Sequence, residues 1–301
     1  MKHNYLFLIG AAKSATTSVA AMLSTHPDVA VAASKEPCFF TDFAARDWSG
    51  PSGDAFSARL VRSLGDYDSE FAANPDASWR VDASTDYLSC PVSPQRIAEF
   101  AASERVGRVI VMAILRDPLQ RALSEYQHTL RDGHETLSLR ESLDLEATRR
   151  EDGFQPLFWH VERSSYATHI ARWRSTGLDL NLFGYEAVST PDTFIRDVFK
   201  LMDLAPLEAM PKAETKNRSY TYKNPIIGQI MRHGAVLRAA RGIVPKQFRA
   251  GVKDALLRVV GAKYTPGPDE IALLREALQS EIDACVQDPA IPTDGWTLSK
   301  A

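Results

Sequence analysis

Residues 5–18 read Tyr5-Leu-Phe-Leu-Ile-Gly-Ala-Ala-Lys13-Ser-Ala-Thr-Thr-Ser18, and this stretch decides the fold. An apolar run, a turn of small residues with one lysine, and a hydroxyl-rich segment predict a strand, a loop and a helix start. Backbone N–H groups in such a loop converge on one point, where the helix dipole also favours an anion. Lys13 adds a full positive charge, so the stretch predicts a cradle for a phosphate group.

The spacing within this stretch differs from that of the nucleotide-triphosphate loop, Gly-x-x-x-x-Gly-Lys-Ser/Thr. Lys13 follows Gly10 by three residues, and Ala15 stands where a glycine would be expected. The stretch therefore argues against an ordinary ATPase or kinase and indicates a related cradle for a different nucleotide.

The composition and charge of the chain are those of an ordinary globular protein. Of its 301 residues, 45% are hydrophobic and 24% are charged, and the net charge of -3 argues against bulk nucleic-acid binding. The three cysteines are widely spaced, which argues against a disulfide framework or a zinc site and favours a reducing compartment. We find no signal peptide and no apolar segment long enough for a membrane span, so a cytoplasmic protein is predicted.

Strand and helix patterns alternate over much of the chain. The run Val109–Leu115 is nearly all apolar, as expected for a central parallel strand that is covered on both faces. The predicted strands are Leu6–Ile9, Val29–Val31, Trp79–Asp82, Val109–Leu115 and Leu180–Tyr185. The predicted helices are Thr16–Ser24, Leu119–Thr129, Ser138–Asp152, Tyr166–Ser175, Thr193–Met202 and Pro268–Gln287. This order predicts a P-loop-like α/β fold of three layers, with a central, mainly parallel sheet between helices.

No internal repeat or low-complexity linker divides the chain. We therefore predict a single domain over residues 1–301, with an α/β core over 1–225 and a helical C-terminal extension over 226–301 that packs on the core. The segment Ala44–Asn74 is charged, has only weak helical periodicity and is predicted as a loop-like flap.

A second strand-to-helix junction reads Leu115-Arg-Asp-Pro-Leu-Gln-Arg121-Ala-Leu-Ser124-Glu-Tyr126. Arg116 leaves the end of the strand and Ser124 lies further along the helix, so both side chains can reach one phosphate. An alternative is that Arg116 and Arg121 are only surface ion-pair partners of Asp117 and Glu125. Two anion sites at the strand ends of one sheet suit a nucleotide with phosphates at two separate positions.

The two junctions resemble motifs of the sulfotransferases that use 3′-phosphoadenosine 5′-phosphosulfate (PAPS), most closely those of the carbohydrate and heparan-type branch and its bacterial relatives. Residues 7–18 resemble the 5′-phosphosulfate loop of that family, and residues 115–126 resemble its 3′-phosphate motif. Lys35-Glu-Pro-Cys-Phe-Phe40 is similar to the segment with the catalytic glutamate, and residues 81–88 are similar to the segment that lines the acceptor site. The resemblance covers residues 5–205, and the last third of the chain matches only loosely.

The resemblance implies an enzyme, a sulfotransferase with PAPS as co-substrate. The sulfuryl group would pass by in-line displacement to a hydroxyl, less often an amine, of a carbohydrate, a glycolipid or another small-molecule or lipid acceptor. Glu36 would be the general base, Lys13 would stabilise the leaving phosphate, and Asp82 would orient the acceptor or replace Glu36 as the base. No metal is implied. The implied PAPS-binding residues are Ala12, Lys13, Ser14, Ala15, Thr16, Thr17, Ser18, Arg116, Ser124 and Tyr166.

Several positions depart from the family pattern. Ala15 replaces a glycine of the loop, Asp86 stands for a small residue in the acceptor segment, and Ala83 occupies the position of a lysine in the heparan enzymes. The Arg-Lys-Gly signature of the cytosolic phenol-type enzymes is absent near the C-terminus, and the lysine-rich residues 212–223 are a candidate replacement. Without the resemblance, Glu36 would be interpreted as half of a solvated ion pair with its neighbour, a lysine.

Residues 228–263 form a basic segment with eight Lys or Arg residues and a single acid, Asp254. Apolar residues are interleaved with these charges, which is typical of a segment that contacts an acidic substrate or an anionic surface, here the inner face of a membrane. The alternative is a helical hairpin with a solvated basic face. Two other functions stay open for the chain: a nucleotide-kinase-like phosphotransferase and a non-catalytic PAPS-binding protein.

Overall fold

The computed structural model describes residues 2–207, 221–222, 261–262 and 266–299. The strands of this part of the chain are β1 (His3–Gly10), β2 (Val29–Val31), β3 (Trp79–Asp82), β4 (Val106–Leu115), β5 (Asp179–Gly184), β6 (Thr221–Tyr222) and β7 (Gly261–Ala262). Its α-helices are α1 (Thr16–Leu23), α2 (Gly53–Arg59), α3 (Leu64–Ser69), α4 (Ser93–Ala101), α5 (Pro118–Asp132), α6 (Leu139–Asp144), α7 (Glu146–Glu151), α8 (Tyr166–Arg174), α9 (Pro191–Leu201) and α10 (Pro268–Gln287).

The strand β1 lies at the centre of a five-stranded parallel sheet with the order β2-β3-β1-β4-β5. From β1 the chain builds β2 and β3 on one side and then β4 and β5 on the other. The strand order therefore reverses between β1 and β4, where open α/β sheets bind ligands beyond the carboxyl ends of their strands. Gly10 is paired with Ala113, so the loops after β1 and β4 leave the same edge of the sheet.

Alternating side chains along β1 and β4 give the sheet two apolar faces. On one face, Phe7 and Val111 belong to a buried cluster with side chains of α4 and α8. On the opposite face, Leu8 and Met112 belong to a second cluster with side chains of α1 and α9. All four strand residues are fully buried. Helices therefore cover both faces of the sheet and produce the three layers.

The predicted α/β fold with a mainly parallel sheet is confirmed. The predicted bounds of Val29–Val31, Trp79–Asp82 and Pro268–Gln287 agree with the structure. The prediction of a loop-like flap over Ala44–Asn74 was wrong in part, because the segment contains α2 and α3. These helices have only seven and six residues, too few to give a clear helical repeat in the sequence. Residues 138–152, predicted as one helix, form α6 and α7.

Asp117 joins the start of α5 to the C-terminal segment. One carboxylate oxygen accepts hydrogen bonds from the backbone N–H groups of Leu119 and Gln120, at 3.0 and 3.3 Å, as expected for an N-cap. The other oxygen accepts from the backbone N–H groups of Leu298 and Ser299, at 2.7 and 2.9 Å. Apolar side chains of α10 also pack on α5. The helix that follows β4 is therefore held at its start and along its length.

Two segments of interest lie outside the described residues, apart from the backbone of β6 and β7. They are the basic segment 228–263 and the lysine-rich residues 212–223. The predicted boundary between core and extension, at residue 225, also lies there and stays a prediction. Among the helices that the structure describes, none combines the length and the apolar character needed to span a bilayer.

Candidate active site

A cavity of about 450 Å³ opens beyond the carboxyl ends of β1 and β4. The loops after these two strands form one part of its wall. The segments around residues 36 and 86, together with α2, contribute further side chains. The lining includes Ala12, Lys13, Ala15, Thr16, Thr17, Ser18, Lys35, Glu36, Arg59, Thr85, Asp86, Arg116, Ser124, His128, Arg131, Gln155, Arg163 and Tyr185.

The loop between β1 and α1 leaves the start of α1 open to the cavity. Ala15 is the N-cap residue of α1, and no side chain caps the N–H groups of the first helical turn. Ser14 is fully buried, and its Oγ atom has no hydrogen-bond partner among the described residues. Unused donors at a helix start, together with the helix dipole, favour an anionic ligand at this position.

Ala15 has a φ angle of 61°, in the left-handed region that costs a non-glycine residue about 1–2 kcal/mol. We expect Ala15→Gly to raise the free energy of unfolding by about 1 kcal/mol, because relief of this strain exceeds the entropy that glycine adds to the unfolded chain. Denaturant unfolding followed by circular dichroism measures the change. Ala12→Gly is the control, since Ala12 lies in the same loop without a positive φ angle and should lose stability. A gain of equal size in both variants would contradict the strain argument.

Arg116 connects the loops that follow β1 and β4. Its Nη1 donates a hydrogen bond to the backbone oxygen of Lys13 at 3.3 Å, and its Nε donates to Oε1 of Gln120 at 3.3 Å. The guanidinium carbon lies 5.0 Å from the centre of the Tyr185 ring. No carboxylate of the described chain pairs with Arg116, and Arg121 pairs with Glu125 in the core, so the alternative of surface ion pairs is not supported. Together with Ser124 of α5, Arg116 provides the cavity with a second set of donors.

Burial changes the pKa values of two basic side chains in the cavity. It lowers the pKa of Lys13 to about 8, and the charge of Glu125 opposes this effect. It lowers the pKa of His128 to about 4, and the neighbouring charge of Lys13 adds to the decrease. At neutral pH, Lys13 is therefore largely protonated and His128 is neutral, so of these two side chains Lys13 supplies the positive charge.

Glu36 lines the cavity from the loop between β2 and α2. Its carboxylate accepts a hydrogen bond from the Thr85 hydroxyl at 3.3 Å, and it lies 3.9 Å from Lys35 and 3.8 Å from Arg59. The Glu36 side chain is only 11% exposed. Burial raises the pKa of Glu36 and the charge of Asp86 raises it further, while the two exposed cations act in the opposite direction. A carboxylate with a raised pKa and distant ion partners is suited to accept a proton.

A buried ion-pair network holds Asp86 beside Glu36. Nη2 of Arg163 lies 2.7 Å from a carboxylate oxygen of Asp86, and Arg163 also pairs with Glu125. Burial alone would raise the pKa of Glu125, but Arg121 and Arg163 hold it well below its usual range. Because the buried Arg163 lies 2.7 Å from Asp86, while the exposed Arg59 comes no closer than 3.8 Å to Glu36, Glu36 is the better candidate for a proton acceptor.

Glu36, Cys38 and Asp86 also place possible metal ligands within 4.8 Å of one another. However, the Arg163 guanidinium lies 2.7 Å from Asp86 and already neutralises that carboxylate. Burial also raises the pKa of Cys38 and disfavours the thiolate that a metal would need. The cluster is therefore a weaker candidate for a cation than the start of α1 is for an anion.

The cavity brings together most of the residues predicted to form the site. Those that line it are Ala12, Lys13, Ala15, Thr16, Thr17, Ser18, Glu36, Arg116 and Ser124. Ser14 is buried within the loop. Asp82 is fully buried and does not contact the cavity, which corrects its predicted position at the acceptor: core side chains surround its carboxylate with hydrogen bonds. Tyr166, an implied PAPS-binding residue, also lies in the core, beside Trp296, with ring centres 6.1 Å apart, and does not line the cavity.

Some charged residues of the lining have no role predicted from the sequence, among them Arg59, Asp86, Arg131 and Arg163. Asp86 offers a signal, because an acid replaces a small residue of the family pattern at this position. Arg59 lies in a segment without clear periodicity, and Arg163 lies in a short 3₁₀ turn before α8. No spacing in the sequence connects either arginine to the strand ends.

No protein-family model matches the chain. Among solved structures, the chain is similar to a sulfotransferase from Alicyclobacillus acidocaldarius, with 28% sequence identity and a TM-score of 0.63 over 72% of this chain and 87% of that one. It also aligns with the sulfotransferase domain of the Synechococcus PCC 7002 olefin synthase, with 15% identity and a TM-score of 0.44 over 76% and 83% of the two chains. The second similarity is too distant to carry an argument. The first shows that the chain has the α/β fold of a sulfotransferase.

Proposed function

We propose that the chain transfers the sulfuryl group of PAPS to a hydroxyl group of an acceptor. The observation that carries this proposal is that one cavity joins Lys13 at the start of α1, Arg116 with Ser124 at the start of α5, and Glu36. The similarity to the Alicyclobacillus sulfotransferase supports the class of reaction. The resemblance of the sequence motifs is the basis for placing the chain near the carbohydrate and heparan-type branch.

The donors in the cavity fit the two charged ends of PAPS. Lys13 and the N–H groups at the start of α1 would hold the 5′-phosphosulfate, and the Ser14 hydroxyl is a further unused donor there. Arg116 and Ser124 would hold the 3′-phosphate, because a guanidinium presents paired donors to phosphate oxygens. Two separate anion sites suit PAPS better than they suit a triphosphate chain.

The chemistry requires a proton acceptor and a stabilised leaving group. PAPS supplies the sulfuryl group, and adenosine 3′,5′-bisphosphate leaves. Glu36 takes the proton of the acceptor hydroxyl while the acceptor oxygen forms its bond to sulfur. The bond from sulfur to the bridging oxygen breaks, its electron pair stays on the phosphate, and Lys13 stabilises that charge. Positioning and electrostatics dominate such a step, so no metal is proposed.

The part of the cavity near Glu36 favours a polar acceptor. Lys35 and Arg59, at 3.9 and 3.8 Å from Glu36, offer donors to hydroxyl oxygens there, which suits a carbohydrate or a glycolipid head group. An ammonium acceptor is disfavoured, because the same cations would repel it. The excess of basic residues in the segment 228–263 supports an anionic acceptor or a membrane-bound one.

Calorimetric titration of adenosine 3′,5′-bisphosphate tests the two-phosphate cradle. We expect micromolar binding by the wild type and a loss of about 10- to 100-fold in Arg116→Ala, which removes a charged donor from the 3′-phosphate. ATP should bind weakly to both proteins. Arg108→Ala is the control, since Arg108 lies in β4, the strand that precedes Arg116, does not line the cavity and pairs with Asp179 and Asp203. Its affinity should equal that of the wild type.

The same titration separates the alternatives. Tighter binding of ATP than of the bisphosphate, with no effect of Arg116→Ala, would replace the proposal with a nucleotide-kinase-like phosphotransferase. Bisphosphate binding without turnover of PAPS by any acceptor would favour a non-catalytic PAPS-binding protein.

A further inference from the structure

The carboxylate of Asp82 accepts four hydrogen bonds in the core. Its Oδ1 accepts from the backbone N–H of Ser84 at 3.0 Å and from the Ser84 hydroxyl at 2.6 Å. Its Oδ2 accepts from the hydroxyls of Tyr87 and Tyr67, at 2.8 and 3.1 Å. With no exposed surface, Asp82 cannot take a proton from an acceptor in the cavity. The four hydrogen bonds indicate instead that Asp82 holds neighbouring segments in place.

Two of these hydroxyls also accept hydrogen bonds from the loop that contains Glu36. The Ser84 Oγ atom accepts a hydrogen bond from the backbone N–H of Cys38 at 3.0 Å. The Tyr87 hydroxyl accepts from the backbone N–H of Phe40 at 3.3 Å. Each hydroxyl has one proton, and donating it to Asp82 leaves the oxygen lone pairs directed to the loop. The Asp82 carboxylate therefore fixes the orientation of both acceptors.

The loop needs such support at Cys38. This residue has a φ angle of 52°, in the left-handed region that a non-glycine residue occupies only when its surroundings hold it there. The hydrogen bond from Ser84 reaches the N–H of this same residue. Burial raises the pKa of Asp82 to about 6, and the hydrogen bonds from Ser84 and Tyr87 oppose the increase. At neutral pH the carboxylate is therefore ionised, and its hydrogen bonds are charge-assisted.

We propose that Asp82 is a positioning residue for Glu36. The Asp82 carboxylate acts through the hydroxyls of Ser84 and Tyr87, which hold the backbone of the Glu36 loop. The role of Glu36 as the base rests on the proposed function. The connection from Asp82 to the loop rests on the hydrogen bonds alone. It gives the acid at position 82 a task in the reaction without contact with the acceptor or with PAPS.

Asp82→Asn tests this connection with two measurements. The NH₂ group of the amide cannot accept a hydrogen bond, so either Ser84 or the two tyrosine hydroxyls lose their acceptor. We therefore expect the N–H group of Cys38 or of Phe40 to exchange with deuterium about tenfold faster. We also expect kcat for sulfuryl transfer to fall about tenfold, because Glu36 is no longer held in position. The KM for PAPS should stay unchanged, because the hydrogen bonds of Asp82 do not reach the β1–α1 loop. Unchanged protection of both amides in this variant would overturn the proposal.

Tyr87→Phe and Tyr67→Phe form a matched pair. Each variant removes one hydroxyl from the same oxygen of Asp82 and retains the aromatic ring, but only Tyr87 contacts a backbone N–H of the loop. We expect Tyr87→Phe to lower kcat about fivefold and to expose the Phe40 amide to exchange, with Tyr67→Phe close to the wild type. Equal effects of the two variants would show that loss of core stability, and not the connection to the loop, is responsible.

The two readouts separate this proposal from the proposed function. If the wild type fails to transfer a sulfuryl group from PAPS to any acceptor, the proposed function fails, and the role of Asp82 in that reaction fails with it. Hydrogen exchange in Asp82→Asn still decides whether the carboxylate holds the loop. If turnover is present but the Cys38 and Phe40 amides exchange at the wild-type rate in Asp82→Asn and in Tyr87→Phe, only the positioning role is refuted.

Discussion

Replacing Glu36 with glutamine is expected to lower kcat for sulfuryl transfer by about 10³, within the range that a lost general base produces. The amide has nearly the same shape as the carboxylate and still accepts the hydrogen bond from Thr85, but it cannot take the proton of the acceptor. Because Glu36 is not assigned to either phosphate site, the Kd for adenosine 3′,5′-bisphosphate should stay at the wild-type value. Steady-state kinetics and calorimetry together measure this separation.

The pH profile gives an independent test of Glu36 as the base. Burial and the charge of Asp86 raise the pKa of Glu36 above its ordinary value of 4.5. A base acts only in its deprotonated form, so kcat/KM of the wild type should fall as the pH decreases through this raised pKa. The acid limb assigned to Glu36 should disappear in the residual activity of Glu36→Gln.

Glu70→Gln is a matched control for the loss of a carboxylate near this loop. The Glu70 side chain accepts a hydrogen bond from the Ser34 hydroxyl at 2.8 Å, two residues before Glu36, but does not line the cavity. It should keep wild-type kcat, because the glutamine oxygen still accepts from the backbone N–H of Ser34 and its NH₂ group can donate to the Ser34 hydroxyl. If Glu36→Gln keeps wild-type kcat as well, Glu36 is not the base, and Asp86 becomes the first carboxylate to replace.

The layers of the fold follow from local sequence patterns. The apolar run of β4 contains side chains for both faces of the sheet, and Asp117 followed by Pro118 marks the start of α5 without reference to the rest of the chain. The anion cradle was predictable for the same reason, because Lys13 and its hydroxyl-rich neighbours are consecutive in sequence. Features that lie within a single strand–loop–helix unit can therefore be predicted from consecutive residues of the sequence.

The other half of the site depends on which way a few side chains face. Asp82 and Asp86 occur in one short segment, and the sequence does not show which carboxylate reaches the cavity. The 3₁₀ turn Thr85–Tyr87 decides the matter: it leaves Asp82 in the core at the end of β3 and places Asp86 at the cavity. Arg163 lies far from Asp86 in the sequence. Their ion pair is therefore a tertiary contact that no pattern of neighbouring residues predicts.

Replacing Lys13 with glutamine is expected to lower kcat by about 10²–10³ and to weaken binding of adenosine 3′,5′-bisphosphate by about tenfold. The larger loss falls on kcat, because negative charge on the bridging oxygen increases as the bond to sulfur breaks. Lys200→Gln is the control, since Lys200 is an exposed residue of α9 outside the cavity. A Lys13→Gln variant with reduced affinity but wild-type kcat would show that Lys13 binds the nucleotide without acting on the leaving group.

Proton uptake on binding identifies Lys13 without measuring turnover. Burial lowers the pKa of free Lys13 to about 8, so part of the population loses its proton as the pH rises through that value. An anionic phosphate raises the pKa again, because it favours the charged ammonium. Binding of the bisphosphate above the pKa should therefore take up a proton, and affinity should fall as the pH increases further. Calorimetry in two buffers of different ionisation enthalpy measures the uptake, which Lys13→Gln should abolish. Burial lowers the pKa of His128 to about 4, so His128 does not contribute in this range, and uptake that persists in the variant would assign the proton to another group.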